Sequence, residues 1–456
     1  MEKKNHFEVL RALLERRDYH ALQAILAEEN EVDIAEFMEE LTTEQATVVF
    51  RTLPKELAAE VFSNLSPENQ EAILGAATDQ ELSAIVEELY VDDAVDMLEE
   101  LPANVVKRVL KNARPETRRL INQFLNYPEN SVGSIMTAEF MDLKKSMTVA
   151  EAIAHIRRTG EDSESIYTCY VTDNARHLEG VITVRELLIA RDEQRVEDLM
   201  ETDVITAETT EDQEAAVGRI MKYDFISMPV VDTENRLVGI VTVDDAMDVL
   251  QEEVTEDIEK MAAILPGDKP YLKTGVFETW KARTPWLMML MLSATFTGMI
   301  LTHFENSLAA VPILTSYIPM LSGTGGNSGT QASTAVIRAL SLGEVRFGDL
   351  LRVVWKECRV ALICGVCLAA ANFVKMIAVD CWLLNNPAVT PAVAAVVCCT
   401  LVGTVACAKL VGASLPILAE KIGFDPAVMA SPFISTIVDA LSLLIYFRFA
   451  TWILGV

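Results

Sequence analysis

One acid stands in the middle of an apolar stretch. Asp439 lies about thirteen residues into the run 426–447, which is otherwise uncharged and long enough to cross a bilayer. An ionised carboxylate there costs on the order of 3 kcal/mol, so it must meet water or a cation, unless it is protonated or spent on an interhelical hydrogen bond. A second oddity is Pro319-Met-Leu-Ser-Gly-Thr-Gly-Gly-Asn-Ser-Gly-Thr-Gln331, inside an uncharged run of 32 residues, Asn306 to Ile337. Its glycines, Gly325 and Gly326 among them, read as a break at which backbone and amide oxygens approach a permeating species. One carboxylate per chain cannot encircle an ion, but a twofold axis beside it supplies two. A homodimer with its pore on the axis is therefore expected.

Other acids come in clusters. Asp92, Asp93 and Asp96 form one; Glu214 and Asp224 flank another segment; Asp244, Asp245, Asp248, Glu252, Glu253, Glu256, Asp257 and Glu259 crowd a third. Oxygen donors without Cys or His suit hard cations such as Mg²⁺, Mn²⁺ or Ca²⁺ and not Zn²⁺ or Cu⁺. Residues 281–456 carry 11 Lys/Arg and 8 Asp/Glu, a balance of +3, so the total of −29 leaves −32 on residues 1–280. That excess repels nucleic acid and favours cationic ligands, or else is a solvated acidic surface.

These residues need elements to hold them. Residues 1–128 read as short amphipathic helices whose starts are marked by Leu53-Pro54, Leu65-Ser66-Pro67 and Leu101-Pro102, since proline is tolerated only in a first turn. Stacked helical hairpins are expected there. A repeat follows: Val171-Thr-Asp173 and Leu178-Glu-Gly180-Val-Ile-Thr183 return 59 residues later as Val231-Asp232 and Leu237-Val-Gly239-Ile-Val-Thr242. Thr148-Val-Ala-Glu151 is a capping box ahead of the first copy. The strand-turn-strand between helices, twice in register, resembles a pair of cystathionine-β-synthase (CBS) domains. In that family a Gly-x-x-Thr-x-x-Asp exit holds an adenine nucleotide. The second copy keeps it as Gly239, Thr242 and Asp245, whereas the first has Glu186 in the last place; helix capping is the competing role for these residues. Apolar Met247, Leu250, Val254, Ile258, Met261 and Leu265 then give one connecting helix ended by Pro266-Gly267.

Five membrane crossings are expected, at 284–304, 306–337, near 352–378, at 381–408 and at 426–447. No signal peptide is expected ahead of them. With the N-terminus in the cytoplasm, ten basic residues (Lys273, Lys281, Arg283, Arg338, Arg346, Arg352, Lys356, Arg359, Lys409 and Lys421) flank the inner side and two, Lys375 and Arg448, the outer. This satisfies the positive-inside rule and puts the C-terminus outside. Cys364, Cys367, Cys398, Cys399 and Cys407 sit in uncharged runs and imply no disulfide framework. The five His do not cluster in sequence and no nucleophile-base constellation or phosphate loop is found, so no enzyme is expected.

With Pro319…Gln331, Phe424-Asp425-Pro426-Ala427 and Asp439 in this order behind the CBS pair, the whole chain resembles the MgtE family of magnesium channels and transporters. The expected fold is a multidomain membrane protein: an acidic all-α superhelical N-domain (1–128), an α+β CBS domain pair (131–192 and 196–250), a connecting plug helix (244–268) and a five-helix all-α transmembrane domain (281–456). The resemblance implies a homodimer in the cytoplasmic membrane whose pore selects Mg²⁺ at Asp439, with backbone near Ser435 assisting, Asn327 beside the pathway and Asp425 at its cytoplasmic mouth. It also implies a gate, in which intracellular Mg²⁺ bound through Asp92, Asp96, Asp224, Asp245, Asp248, Glu253, Glu256 and Asp257 holds the pore shut. Adenine nucleotide, ATP for example, is a further expected ligand. Competing readings are a transporter for Mn²⁺, Co²⁺ or Ca²⁺, a CBS-domain membrane sensor that transports nothing, and a CBS-gated anion or osmolyte carrier.

Overall fold

The computed structural model describes residues 2–267, 271–272, 274–429 and 431–455. The chain forms two compact units, Met1–Gln251 and Glu252–Val456.

In the first unit, ten short helices run from Glu2 to Phe124. Prolines mark their starts as expected: Pro54 and Pro102 are N-caps, and Pro67 and Pro115 open their helices. Helix Glu31–Glu39 packs on Lys55–Ser63, that on Asp79–Glu88, and that on Ala103–Asn112. Because each helix is too short to bury its apolar stripe alone, stacking on the next but one builds a continuous superhelical core, through Phe37, Phe62, Leu74 and Val86.

Two three-stranded sheets follow. In the first, β1 (Phe140–Leu143) runs parallel to β2 (Ser165–Thr172), which pairs antiparallel with β3 (Leu178–Thr183); β4 (Ala207–Glu208), β5 (Ser227–Val231) and β6 (Leu237–Thr242) repeat the order. The registers Val171↔Gly180 and Val230↔Gly239 are equivalent. Both hairpin turns are set by an aspartate: Asp173 Oδ1 accepts from the N–H groups of Ala175 (2.7 Å) and His177 (2.9 Å), and Asp232 Oδ1 from Glu234 and Arg236 (both 2.9 Å). The turns then pair with each other, Leu178 N–H to Asn235 O at 3.1 Å and Leu237 N–H to Arg176 O at 2.8 Å, a pseudo-twofold exchange.

Helix α1 (Val243–Met261) crosses from one unit into the other. It ends earlier than the Pro266-Gly267 signal predicts. Ala263 takes a left-handed conformation (φ 56°) and the N–H groups of Ala262 and Ile264 close on Glu259 O, a C-cap that stops the helix before the proline is reached. Asp268 and Lys273 lie outside the described residues.

The second unit holds α2 (Val276–His303), α3 (Ile318–Ser341), α4 (Leu350–Lys375), α5 (Pro391–Lys421) and α6 (Ser431–Leu454). Among the described residues four helical segments are long and apolar enough to cross a membrane: Val276–His303, Phe347–Leu383, Pro391–Lys421 and Pro432–Leu454. The fourth expected span, 381–408, is displaced. Residues Met376–Leu383 continue α4 as a π-helix, and α5 begins only at Pro391, because Asp380 is held back by Tyr317 and Lys375 and Asn385 turns the chain at φ 48°. The Gly-rich stretch is also not a break. It lies within the continuous helix α3, whose carbonyls are spent on the helix ladder. With 24 residues, α3 is about 36 Å long, enough to span, while its Gly, Ser, Thr and Asn keep it less apolar than its neighbours.

Contacts fix the helix directions. Gly325 meets Thr404 and Gly329 meets Ala408, so α3 and α5 are parallel; the same glycines meet Ser442 and Ile434, so α6 runs the other way. Gly365 on Val402 and Glu357 beside Lys409 make α4 antiparallel to α5. Trp286 packs on Phe433 and Phe304 on Phe447, aligning α2 with α6. The five helices alternate.

Candidate functional site

The glycines of α3 are where three helices close in. A side chain at Gly325 would stand 2.6 Å from Thr404 Cγ2, 2.8 Å from Val438 Cγ1 and 3.0 Å from Ser442 Oγ; one at Gly329 would stand 2.6 Å from Ile434 Cγ2. This Gly-x-x-x-Gly pair replaces the expected oxygen-lined break by backbone-close packing. Gly326 touches Ser435 at ordinary contact distance, and the Ser435 hydroxyl donates to Pro432 O at 3.0 Å. On the next turn of α6, the partly buried Asp439 accepts a hydrogen bond from the Ser322 hydroxyl of α3. Asn327 is exposed on α3. Thr404 Oγ1 and Ser442 Oγ, both buried, have no hydrogen-bond partner.

Sequence reasoning missed two further acids in this unit. Asp380, 9% exposed, accepts from Tyr317 Oη at 2.9 Å and from Lys375 Nζ at 3.0 Å. Glu357 of α4 lies 3.7 Å from Lys409 of α5. Lys409 is 6% exposed and lies within α5, short of its end at Lys421, so it is packed against α4 and is not a solvent-facing charge. Each of these two acids has a lysine. Among the described residues no ion pair is found for Asp439.

The carboxylates of the first unit fall into a tighter group than their sequence positions show. Asp92 and Asp93, in the first turn of helix Val91–Glu100, face Asp244 and Asp245 in the first turn of α1, together with Glu139 and Glu164. Burial and the neighbouring Asp93 and Asp245 carboxylates hold Asp92 well above the usual range. Burial, with Asp245 and Asp244, raises Asp93 to about 6; burial, with Asp245, Asp244, Asp93 and Glu139, raises Glu164 to about 7. Burial raises Asp245, although Thr242 donates its hydroxyl to it. Asp92 Oδ1 and Glu164 Oε2 are shut from solvent without a hydrogen-bond partner. Packed carboxylates that raise one another's pKa are short of positive charge. Glu139 and Glu164 went unnoticed in the sequence because they are isolated there. Each immediately precedes a strand, β1 or β2, and Glu164 N–H donates to Glu139 O at 2.8 Å, so only strand pairing reveals them as neighbours.

Asp96, Asp248, Glu214 and Asp224 are exposed; Asp224 is the left-handed C-cap of helix Gln213–Tyr223 (φ 54°). Glu253, Glu256 and Asp257 belong to the other unit, where burial and then Asp425 raise Asp257. Among the described residues no group of three or more His, Cys, Asp or Glu side chains has the arrangement of a metal site. At the nucleotide candidate, Gly239 approaches the chain's own backbone: Thr137 O is 2.6 Å from where its Cβ would stand. Thr183 caps the first copy's helix in a full capping box with Glu186.

Comparison with known proteins follows the same division. The family model described as divalent cation transporter matches residues 318–449, from α3 to α6, the MgtE intracellular N domain matches 29–130, and CBS domains match 132–193 and 196–252. A magnesium transporter MgtE of Thermus thermophilus is 39% identical over 448 residues, covering 98% of both chains. The chain belongs to the MgtE family. A Bacillus subtilis MgtE, also named a magnesium transporter, is 36% identical over 73% of this chain and 72% of its own length. Two solved structures resemble the soluble part: the cytosolic domain of the Mg²⁺ channel MgtE in complex with ATP (39% identity, TM-score 0.51, covering 53% of this chain and 98% of that one) and the soluble part of a magnesium transporter (28%, TM-score 0.53, 55% and 99%). The MgtE signature thus extends over the acidic helices, the CBS pair and the apolar helices alike, and the expected order of acidic helical domain, CBS pair and apolar helical domain stands.

Proposed function

We propose that this chain passes Mg²⁺ across the cytoplasmic membrane, as a homodimer whose two Asp439 carboxylates face an axial pathway, and that intracellular Mg²⁺ on the acidic soluble unit closes it. The observation that carries the reading is the contrast among the acids of the membrane unit. Asp380 and Glu357 each have a lysine, and Asp439 has none among the described residues, so its charge is left for a mobile cation. The alternating helices support five crossings, with the soluble units inside and the C-terminus outside. The relatives' magnesium names support the choice of ion.

The gate follows from electrostatics. Asp92, Asp93, Asp244, Asp245, Glu139 and Glu164 repel when bare, and a divalent ion between them removes the repulsion. Asp96, Asp224, Asp248, Glu214, Glu253, Glu256 and Asp257 would add weaker points of attachment. The ion shifts the equilibrium only by its preference for the compact form. ATP at the CBS pair, through Gly239, Thr242 and Asp245, is the second ligand proposed, on the strength of the relative solved with ATP.

The test is Mg²⁺ uptake by a transporter-deficient strain carrying Asp439→Ala. Uptake is expected to fall at least tenfold with the protein still present in the membrane; normal uptake overturns the pore assignment. Adding Mn²⁺, Co²⁺ or Ca²⁺ in competition decides between Mg²⁺ and the alternative cargo.

A further inference from the structure

The end of α1 carries a cation that the proposed gate does not use. Lys260 Nζ lies 2.7 Å from Glu256 Oε1, one turn back on its own helix, and 2.7 Å from Asp425 Oδ2. Asp425 belongs to the short link between α5 and the 3₁₀ turn Pro426–Met429 that leads into α6, the helix of Asp439. Its other oxygen accepts from Ala427 N–H at 2.8 Å, so the carboxylate is fixed to the link by one atom and to Lys260 by the other. Asp257 is the third carboxylate of the group. Just beyond, Leu265 N–H donates to Ala282 O of α2 at 3.0 Å, a second tie between this segment and the membrane helices. All of these residues lie in the unit Glu252–Val456.

We propose that Lys260 is a built-in cationic latch: its ammonium joins the connecting helix to the loop that feeds α6, a bridging role that a divalent cation would otherwise have to fill. The proposal rests on the reading of Asp439 as the pore acid and of α1 as the gate. One ammonium among three carboxylates leaves the group negative, so the latch weakens but does not abolish its attraction for a divalent ion. The closed arrangement is then favoured partly before any ion binds. An exposed pair would contribute little to such an equilibrium, but the Lys260 side chain is only 23% exposed and is shared by two acids.

The experiment is Mg²⁺ flux into liposomes of the full-length protein, with internal divalent ions chelated or held at millimolar Mg²⁺. For Lys260→Gln, flux under chelation is expected to rise about fivefold, equivalent to about 1 kcal/mol lost from the closed state, while millimolar Mg²⁺ still closes the pathway. Lys260→Arg, which keeps the cation, should behave as wild type. Unchanged or lower flux in Lys260→Gln overturns the latch, as does a rise of the same size in Lys260→Arg. If wild-type protein gives no flux at any internal Mg²⁺, or if Asp439→Ala conducts normally, it is the underlying reading that fails.

Discussion

Among the described residues, carboxylates with no basic side chain paired to them occur in two settings, which make different demands. In the membrane helices Asp439 competes with hydrocarbon. In the soluble unit Asp93 and Glu164 compete with other carboxylates. Burial and neighbouring acids raise them to about 6 and about 7, above their values in an unfolded chain, so the folded unit binds protons that the unfolded one releases. That contribution to stability is complete below about pH 4 and is lost as pH rises through 6 to 7. In metal-free full-length protein, amide exchange over Val91–Glu100, corrected for intrinsic rate, should therefore be several-fold faster at pH 8 than at pH 5.5, with Mg²⁺ or Glu164→Gln reducing the difference. Equal protection at both pH values would refute the account. Of these acids, the aspartate pairs are visible in sequence because they are adjacent. Glu139 and Glu164 are not, since what unites them is the pairing of β1 with β2.

Elements whose signals are local were readable from the sequence. The capping box at Thr148 forms with Glu151, the prolines open helices where they should, and the repeated hairpin is reproduced in register. Elements that depend on a partner helix were not. Lys409 marks the edge of an uncharged run in sequence, but Glu357 on α4 lets α5 carry it inside. The glycines of α3 look like a break until α5 and α6 are seen against them. This close approach predicts that Gly325→Leu cannot be accommodated, because the branched Thr404 and Val438 contacts have little room to yield. Its yield in the membrane and its thermal midpoint in detergent should fall sharply, whereas Gly323→Leu, with open space around its Cα, should be near wild type. Equal behaviour of the two would show that α3 packs otherwise.

The whole molecule is a soluble unit and a membrane unit joined by one helix, and the alternation of five helices has a direct reading at this scale. The five crossings proposed above would put the two ends of the membrane unit on opposite faces. A peptide tag after Val456 should be cleaved by protease added outside intact spheroplasts, and one before Met1 only after lysis; protection of both tags would remove one of the crossings. The connecting helix has a further consequence, because it passes from one unit to the other without a turn. In a continuous helix each residue contributes about 100° of rotation as well as about 1.5 Å of rise. The face that carries Glu256 and Lys260 is therefore phased to the face that carries Asp245. The number of residues between them is an angular setting on this helix as much as a length, and one residue more or fewer would turn the Glu256–Lys260 face by about 100° about the helix axis.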